Sequence, residues 1–252
     1  RDFMGGTWCQ NSYPGAAVDV QSPLDSISFE PYPWSQMFAE QAELQEYTEY
    51  VINKYQLRER TQTNCNVQQV SWDETNQRWH IRTEARGDFT ARIVINASGP
   101  LSTPVIPNFK GRDNFKGATF HTNNWNHDVS LKGKRVAIIG SGASAAQAIP
   151  AIAPEVEHLH VFQRTPHWVL PRPDRKFSPV QRALLRIKPL HKALRTMIYW
   201  QLESRVIGFK YSPLILNLVA QRAALKHIRN QIADSALRAA VTPEYTIGCK
   251  RI

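Results

Sequence analysis

The chain has 252 residues, 42% hydrophobic and 10% aromatic, which is enough apolar material for one or two packed domains and argues against disorder. A formal net charge of +10 favours phosphate-bearing partners, whether nucleic acid, an anionic membrane surface or a dinucleotide, without choosing among them. Cys9, Cys65 and Cys249 have no CxxC spacing, which argues against a disulfide framework or zinc site and fits a reducing, cytoplasmic compartment.

Residues 1–36 are rich in Gly, Pro, Ser, Asp and aromatics with little periodicity, so ordered loops are expected there. Over 35–55, Met37, Phe38, Leu44, Tyr47 and Val51 fall on one helical stripe. Strands are expected at 67–72, 79–83 and 89–97, the first two joined through the turn signal at 73–77. Pro104 and Pro107 then mark a domain boundary. Past a loop at 108–134, residues 135–139 (Arg-Val-Ala-Ile-Ile) read as a buried strand. A helix ending near Pro150 and a second buried strand at 159–162 complete a strand–helix–strand unit. Residues 178–240 are helical in pattern, basic, and interrupted by Pro189 and Pro213. No apolar run reaches the roughly 18 residues of a membrane span.

The turn between the strand and the helix carries the chemistry. Gly140-Ser141-Gly142-Ala143-Ser144-Ala145 is a G-x-G-x-x-A match. Its first glycine permits a tight turn, the second lets the backbone approach a pyrophosphate, and the small third residue allows close helix–strand packing. Phosphates then lie on the unsatisfied N–H groups at the positive end of the helix. An NAD-selective site places Asp or Glu about 20 residues on, at the end of the next strand. Here stands Gln163-Arg164-Thr165, without a carboxylate. A guanidinium and a hydroxyl suit a 2′-phosphate, so NADP is expected. Gln147 follows on the same helix. His158, His160 and His167 flank a strand at mixed spacing and read as structural, with no metal site expected.

Several segments resemble one family. Phe115-Lys-Gly117-Ala-Thr-Phe-His121-Thr-Asn-Asn-Trp125 resembles the F-x-G-x-x-x-H-x-x-x-W fingerprint of type I Baeyer–Villiger monooxygenases, within the flavin-containing monooxygenase superfamily. Gly5-Gly6-Thr7-Trp8, Tyr13-Pro14-Gly15 and Asp19 are similar to the segment that follows the FAD-binding unit in that family. Ala97-Ser98-Gly99, Gln163–Trp168 and Gly248-Cys-Lys-Arg251 also have counterparts. The resemblance implies an α/β fold with two Rossmann-like dinucleotide-binding domains. Residues 1–106 would form a partial FAD-binding domain, 107–134 a linker carrying the fingerprint, 135–241 an NADP-binding domain with a helical insertion, and 242–252 the return to the FAD domain. The opening at Arg1, without Met, and the stop at Ile252 read as those of a fragment that lacks the FAD G-x-G-x-x-G and the C-terminal part.

The implied activity is NADPH- and O2-dependent oxidation of a ketone to an ester or lactone, with oxygen carried at the flavin C4a. Arg251 is the implied catalytic residue, because a fixed guanidinium stabilises charge developing on oxygen. Asp19 would orient it and sit near the flavin. FAD contacts would come from Gly6, Thr7, Trp8, Tyr13 and Asp19. NADP contacts would come from Gly140, Ser141, Gly142, Ala143, Ser144, Ala145, Gln147, Arg164, Thr165 and Lys250. His121 would tie the linker. Asn126, where the family usually has Pro or Asp, keeps open a second reading as an N- or S-oxygenating monooxygenase acting on a soft heteroatom. A third is a non-catalytic basic module. The basic residues Arg182, Arg186, Lys188, Lys192 and Arg195 give that reading its membrane face, though such residues more often form the wet side of amphipathic helices. No nucleic-acid partner is expected.

Overall fold

The two β-rich stretches of the sequence form separate sheets in a computed structural model that describes residues 1–99, 101–211 and 216–247. The chain divides into two compact units.

The first unit comprises Arg1–Ser12 and Leu44–Trp125. It opens with a single helical turn, α1 (Thr7–Gln10), and takes most of α3 (Gln41–Lys54). Leu44, Tyr47, Val51 and Ile52 recur at helical spacing and are buried. Strands β1 (Val67–Asp73), β2 (Arg78–Thr83) and β3 (Asp88–Ala91) form an antiparallel meander. Val70 pairs with Ile81 and Trp72 with Trp79, so the apolar residues of the alternation share one face; the two indole rings lie 5.2 Å apart. Asp73 builds the turn between β1 and β2, its carboxylate accepting from Asn76 Nδ2 (2.8 Å) and from the N–H groups of Thr75 and Asn76.

The second unit comprises Tyr13–Glu43 and Asn126–Ile252. It holds α2 (Ser22–Asp25), β4 (Arg135–Ile139), α4 (Ala143–Ile152) and β5 (His158–Phe162). Helices α5 (Pro179–Leu185), α6 (Lys188–Tyr211), α7 (Arg222–Gln231) and α8 (Ser235–Val241) follow, with a π-helical turn at Leu216–Gln221 leading into α7. β4 and β5 pair in parallel from Arg135↔His158 to Ile139↔Phe162, as a strand–helix–strand crossover requires. Sequence punctuation sets the helix starts: Ser178 and Gln181 form a capping box with Pro179 at the first position of α5, and Asp234 caps α8. Arg195 on α6 donates to the carbonyls of Pro23 (3.0 Å) and Ser26 (2.7 Å), satisfying the C-terminal end of α2. Trp168, fully buried, packs with Ala224 and Ile247 and donates from Nε1 to Tyr245 O at 2.8 Å.

Several expectations are corrected. The helix expected over 35–55 begins at Gln41, because 35–40 bonds to another segment instead: Met37 N–H donates to Arg175 O and Phe177 N–H to Ser35 O. β3 ends at Ala91, and 93–97 is not a strand. Ile93 and Ile95 are largely exposed, with no neighbouring strand among the described residues to complete a ladder. α4 ends near Pro150 as expected, running two residues past it to Ile152. Pro189 is the second residue of α6, where a missing N–H is tolerated, so it begins a helix and does not interrupt one. Pro213 lies outside the described residues. β4 and β5 form as expected but are not buried strands: Ile139 and Phe162 are exposed. By compactness alone, residues 13–43 pack within the second unit.

Candidate functional site: a dinucleotide turn and the segment packed on its helix

Because β4 and β5 are parallel, their carboxyl ends lie at one edge, where open α/β sheets bind ligands. The ladder closes with Gly140 N–H donating to Phe162 O at 2.9 Å. The chain then turns at Gly140, whose φ of +114° is left-handed and strained for any residue with a Cβ. Gly142 is the N-cap of α4 with no side-chain cap, and a Cβ built on it would meet nothing within 4 Å. The first N–H groups of this ten-residue helix are therefore open to an anion. Ala143 is exposed, Ser141 and Ser144 half-buried, and Ala145 buried against the interior with Ala148 and Ile152. At the neighbouring strand end Arg164 is exposed and Thr165 half-buried. Ser141 and Gln163 also line a cavity of about 300 Å³ with an apolar wall that includes Ala146, Ile149, Val169 and Ile228. An uncapped helix start, a glycine elbow, an open cradle and an exposed guanidinium at the strand end are the donor set a phosphorylated dinucleotide needs.

The segment 13–19 packs on the same helix. Gly15 has φ +80° and comes so close that a Cβ would stand 2.5 Å from Gln147 O. Tyr13 is buried, and its hydroxyl donates to Gln147 Oε1 at 2.7 Å and bonds the Ser144 side chain. Burial pushes the Tyr13 phenol above its ordinary value, Ser144 opposes, and the Asp19 charge adds to the rise. Asp19 itself is exposed. The Asp25 carboxyl is likewise held up, by lost hydration first and the Asp19 charge second, against Arg195. Tyr13, Asp19, Ser144 and Gln147 thus come together. Both polar atoms of the Gln147 side chain are engaged by the chain itself. Lys250 and Arg251 lie outside the described residues.

Gly6, Thr7 and Trp8 belong to the first unit. Gly6, at φ +60°, precedes α1, and a Cβ there would meet nothing within 4 Å. An open groove of about 470 Å³ is lined by Arg1, Phe3, Cys9, Gln10, Ser102 and Asn123 among others. Sequence reasoning singled out none of these as lining a site. The Cys9 thiol is raised by burial and by Glu49, with Arg58 opposing. Within the fingerprint segment, the Phe115 ring folds over Gly117, where a Cβ would come within 2.6 Å of it. Phe120 and Trp125 stack edge-on at 5.1 Å. His121 Nδ1 accepts from Asn123 N–H at 3.1 Å and Asn123 Nδ2 donates to Asn11, so the histidine ties its own loop. Among the described residues no group of His, Cys, Asp or Glu is arranged to hold a metal, and no helix is long and apolar enough to cross a membrane.

Comparison with known proteins gives a consistent picture. A family model described as pyridine nucleotide-disulphide oxidoreductase matches residues 15–205. A Baeyer-Villiger monooxygenase of Pseudomonas aeruginosa is 49% identical over 251 residues, covering 99% of this chain and 47% of that protein. Among solved structures, a steroid monooxygenase bound to NADP superposes with a TM-score of 0.83 at 33% identity, covering 99% of this chain and 55% of that one. An ε-caprolactone-bound cyclohexanone monooxygenase gives 0.84 at 28% identity, covering 100% and 57%. The chain spans about half the length of the curated relatives it matches.

Proposed function

This chain belongs to the pyridine nucleotide-disulphide oxidoreductase family, and on that premise we propose that it carries the NADPH site of a flavoprotein monooxygenase of Baeyer–Villiger type, acting on a ketone with O2. The observation that carries the reading is the open cradle at Gly140 and Gly142 beside Arg164, at the carboxyl ends of a parallel strand pair. The likeness to the Baeyer-Villiger monooxygenase of P. aeruginosa and to the steroid monooxygenase supports it.

In this reading the N–H groups at the start of α4 bind the pyrophosphate, while Arg164 and Thr165 bind the 2′-phosphate, which favours NADP over NAD. Lys250 adds a second cation there. Gly6, Thr7, Trp8 and Tyr13 bear on the flavin side. FAD, when bound and reduced by NADPH, supplies the oxygen-activating chemistry; the chain supplies binding, orientation and charge. Asp19 holds a carboxylate that orients Arg251, and Arg251 stabilises negative charge on oxygen. A cytoplasmic setting supplies the NADPH. The domain plan, with 1–106 and 242–252 serving the flavin and 135–241 the nicotinamide dinucleotide, is part of the proposal.

The test is product analysis with the full-length protein, given NADPH and either a cyclic ketone or a tertiary amine. A lactone from the ketone is expected. Oxygenation of the amine alone would replace this reading with that of an N-oxygenating enzyme.

A further inference from the structure

Gln147 lies one turn into α4, and its side chain makes three bonds to the segment that passes over the helix. Its Oε1 accepts from the Tyr13 hydroxyl at 2.7 Å and from Ala17 N–H at 3.4 Å, while its Nε2 donates to Ala17 O at 2.9 Å. Between these anchors Gly15 presses on the Gln147 carbonyl, at a distance no residue with a Cβ could keep. One amide therefore pins both ends of residues 13–17. Val18 follows, almost wholly buried, with its N–H on Ala39 O at 3.1 Å, and then comes Asp19. The same turn of α4 presents Ser144 to the Tyr13 hydroxyl.

We propose that Gln147 is a positioning residue, which latches the 13–19 segment to α4 and so fixes the Asp19 carboxylate relative to the helix N-terminus. This deepens the monooxygenase reading and rests on it. There the pyrophosphate lies at the start of α4 and Asp19 faces the flavin, so the latch sets the register between nicotinamide and flavin. In this arrangement Gln147 acts as a tie between chain segments and not as a nucleotide ligand: its Oε1 accepts from Tyr13 and Ala17, and Nε2 gives one of its two N–H groups to Ala17 O. A chain of bonded groups with one geometry holds a reacting pair more tightly than a loop would, and displacement by about 1 Å can cost on the order of 100-fold in rate.

The experiment uses the full-length protein in three forms: wild type, Gln147→Ala and Tyr13→Phe. In Gln147→Ala, anaerobic flavin reduction by NADPH should slow at least about 10-fold, while the Kd for NADP+ stays within about threefold. Hydrogen exchange of the Ala17 amide, measured without nucleotide, should quicken at least about 10-fold. Tyr13→Phe removes one hydroxyl and should move both readouts the same way by less; it stands in if Gln147→Ala does not fold. Affinity and reduction falling together would make Gln147 a nucleotide ligand and overturn the proposal, as would an unchanged reduction rate. If the wild type neither binds NADP+ nor reduces a flavin, the functional reading fails, and the exchange rate at Ala17 alone decides the latch: unchanged exchange overturns it.

Discussion

Adding one methyl at Gly142 and one at Gly15 should have opposite consequences. At Gly142 the backbone (φ −72°, ψ −176°) is one that alanine adopts freely, and the added Cβ meets nothing within 4 Å. Gly142→Ala should cost less than about 1 kcal/mol of stability, the small loss of replacing glycine by alanine at an N-cap. In the proposed function that open space is where the pyrophosphate comes closest to the backbone, so NADP+ affinity should fall at least about 10-fold, or ~1.4 kcal/mol. At Gly15, φ is +80° and the Cβ would stand 2.5 Å from a helix carbonyl oxygen that cannot move without bending α4. Left-handed strain of about 1–2 kcal/mol adds to an overpacking cost of about 1–3 kcal/mol, so Gly15→Ala should lose roughly 2–5 kcal/mol. Against a total stability of about 5–15 kcal/mol, that is a large share. Urea denaturation and NADP+ calorimetry on both variants of the full-length protein separate the two. Gly142→Ala binding NADP+ within twofold of wild type would refute the cradle; Gly15→Ala losing less than 1 kcal/mol would refute the close approach.

Trp168 is buried against Ala224 and Ile247 and bonds Tyr245 O, so Trp168→Ala should cost about 3–5 kcal/mol, read from the denaturant midpoint. His191 is buried with Nε2 unpartnered among the described residues, and burial, then Arg195, hold its pKa below 6.5. The unfolded chain thus takes up a proton that the fold refuses. Stability should fall as pH drops below about 6.5, and His191→Leu should flatten urea midpoints compared at pH 7.5 and 5.5. Asp73, lowered to about 2 chiefly by the Asn76 side chain, should titrate there by NMR, and Asn76→Ala should raise it toward the usual carboxylate value. The stability it confers is present above its ordinary value near 3.8 and fades as pH falls through about 2.

What was legible in the sequence was local. The glycine elbow, the strand–helix–strand unit around it and the β1–β2 hairpin each follow from short-range pattern and turn chemistry, and they form where expected. The close contact of Gly15 with α4 joins residues some 130 positions apart, beyond the reach of local pattern. Residues 35–40 carry helix-compatible apolar spacing but are drawn into an extended pairing with 174–177, a tertiary override of local propensity. Ile93 and Ile95 look like a buried strand because apolar content signals the preference, whereas forming the strand needs a neighbour to bond. The candidate site showed the same division: the glycine turn was readable, while the engagement of Gln147 with Tyr13 and Ala17 needed coordinates.

The central claim is a site built for a 2′-phosphorylated dinucleotide, and competitive titration of the full-length protein with NADP+ and NAD+ tests it most directly. A charge-assisted clamp from Arg164 is worth about 1.5–3 kcal/mol, so NADP+ should bind roughly 10- to 150-fold tighter, and Arg164→Ala should remove most of that preference while leaving NAD+ affinity unchanged. Equal affinity for the two dinucleotides in the wild type would contradict it.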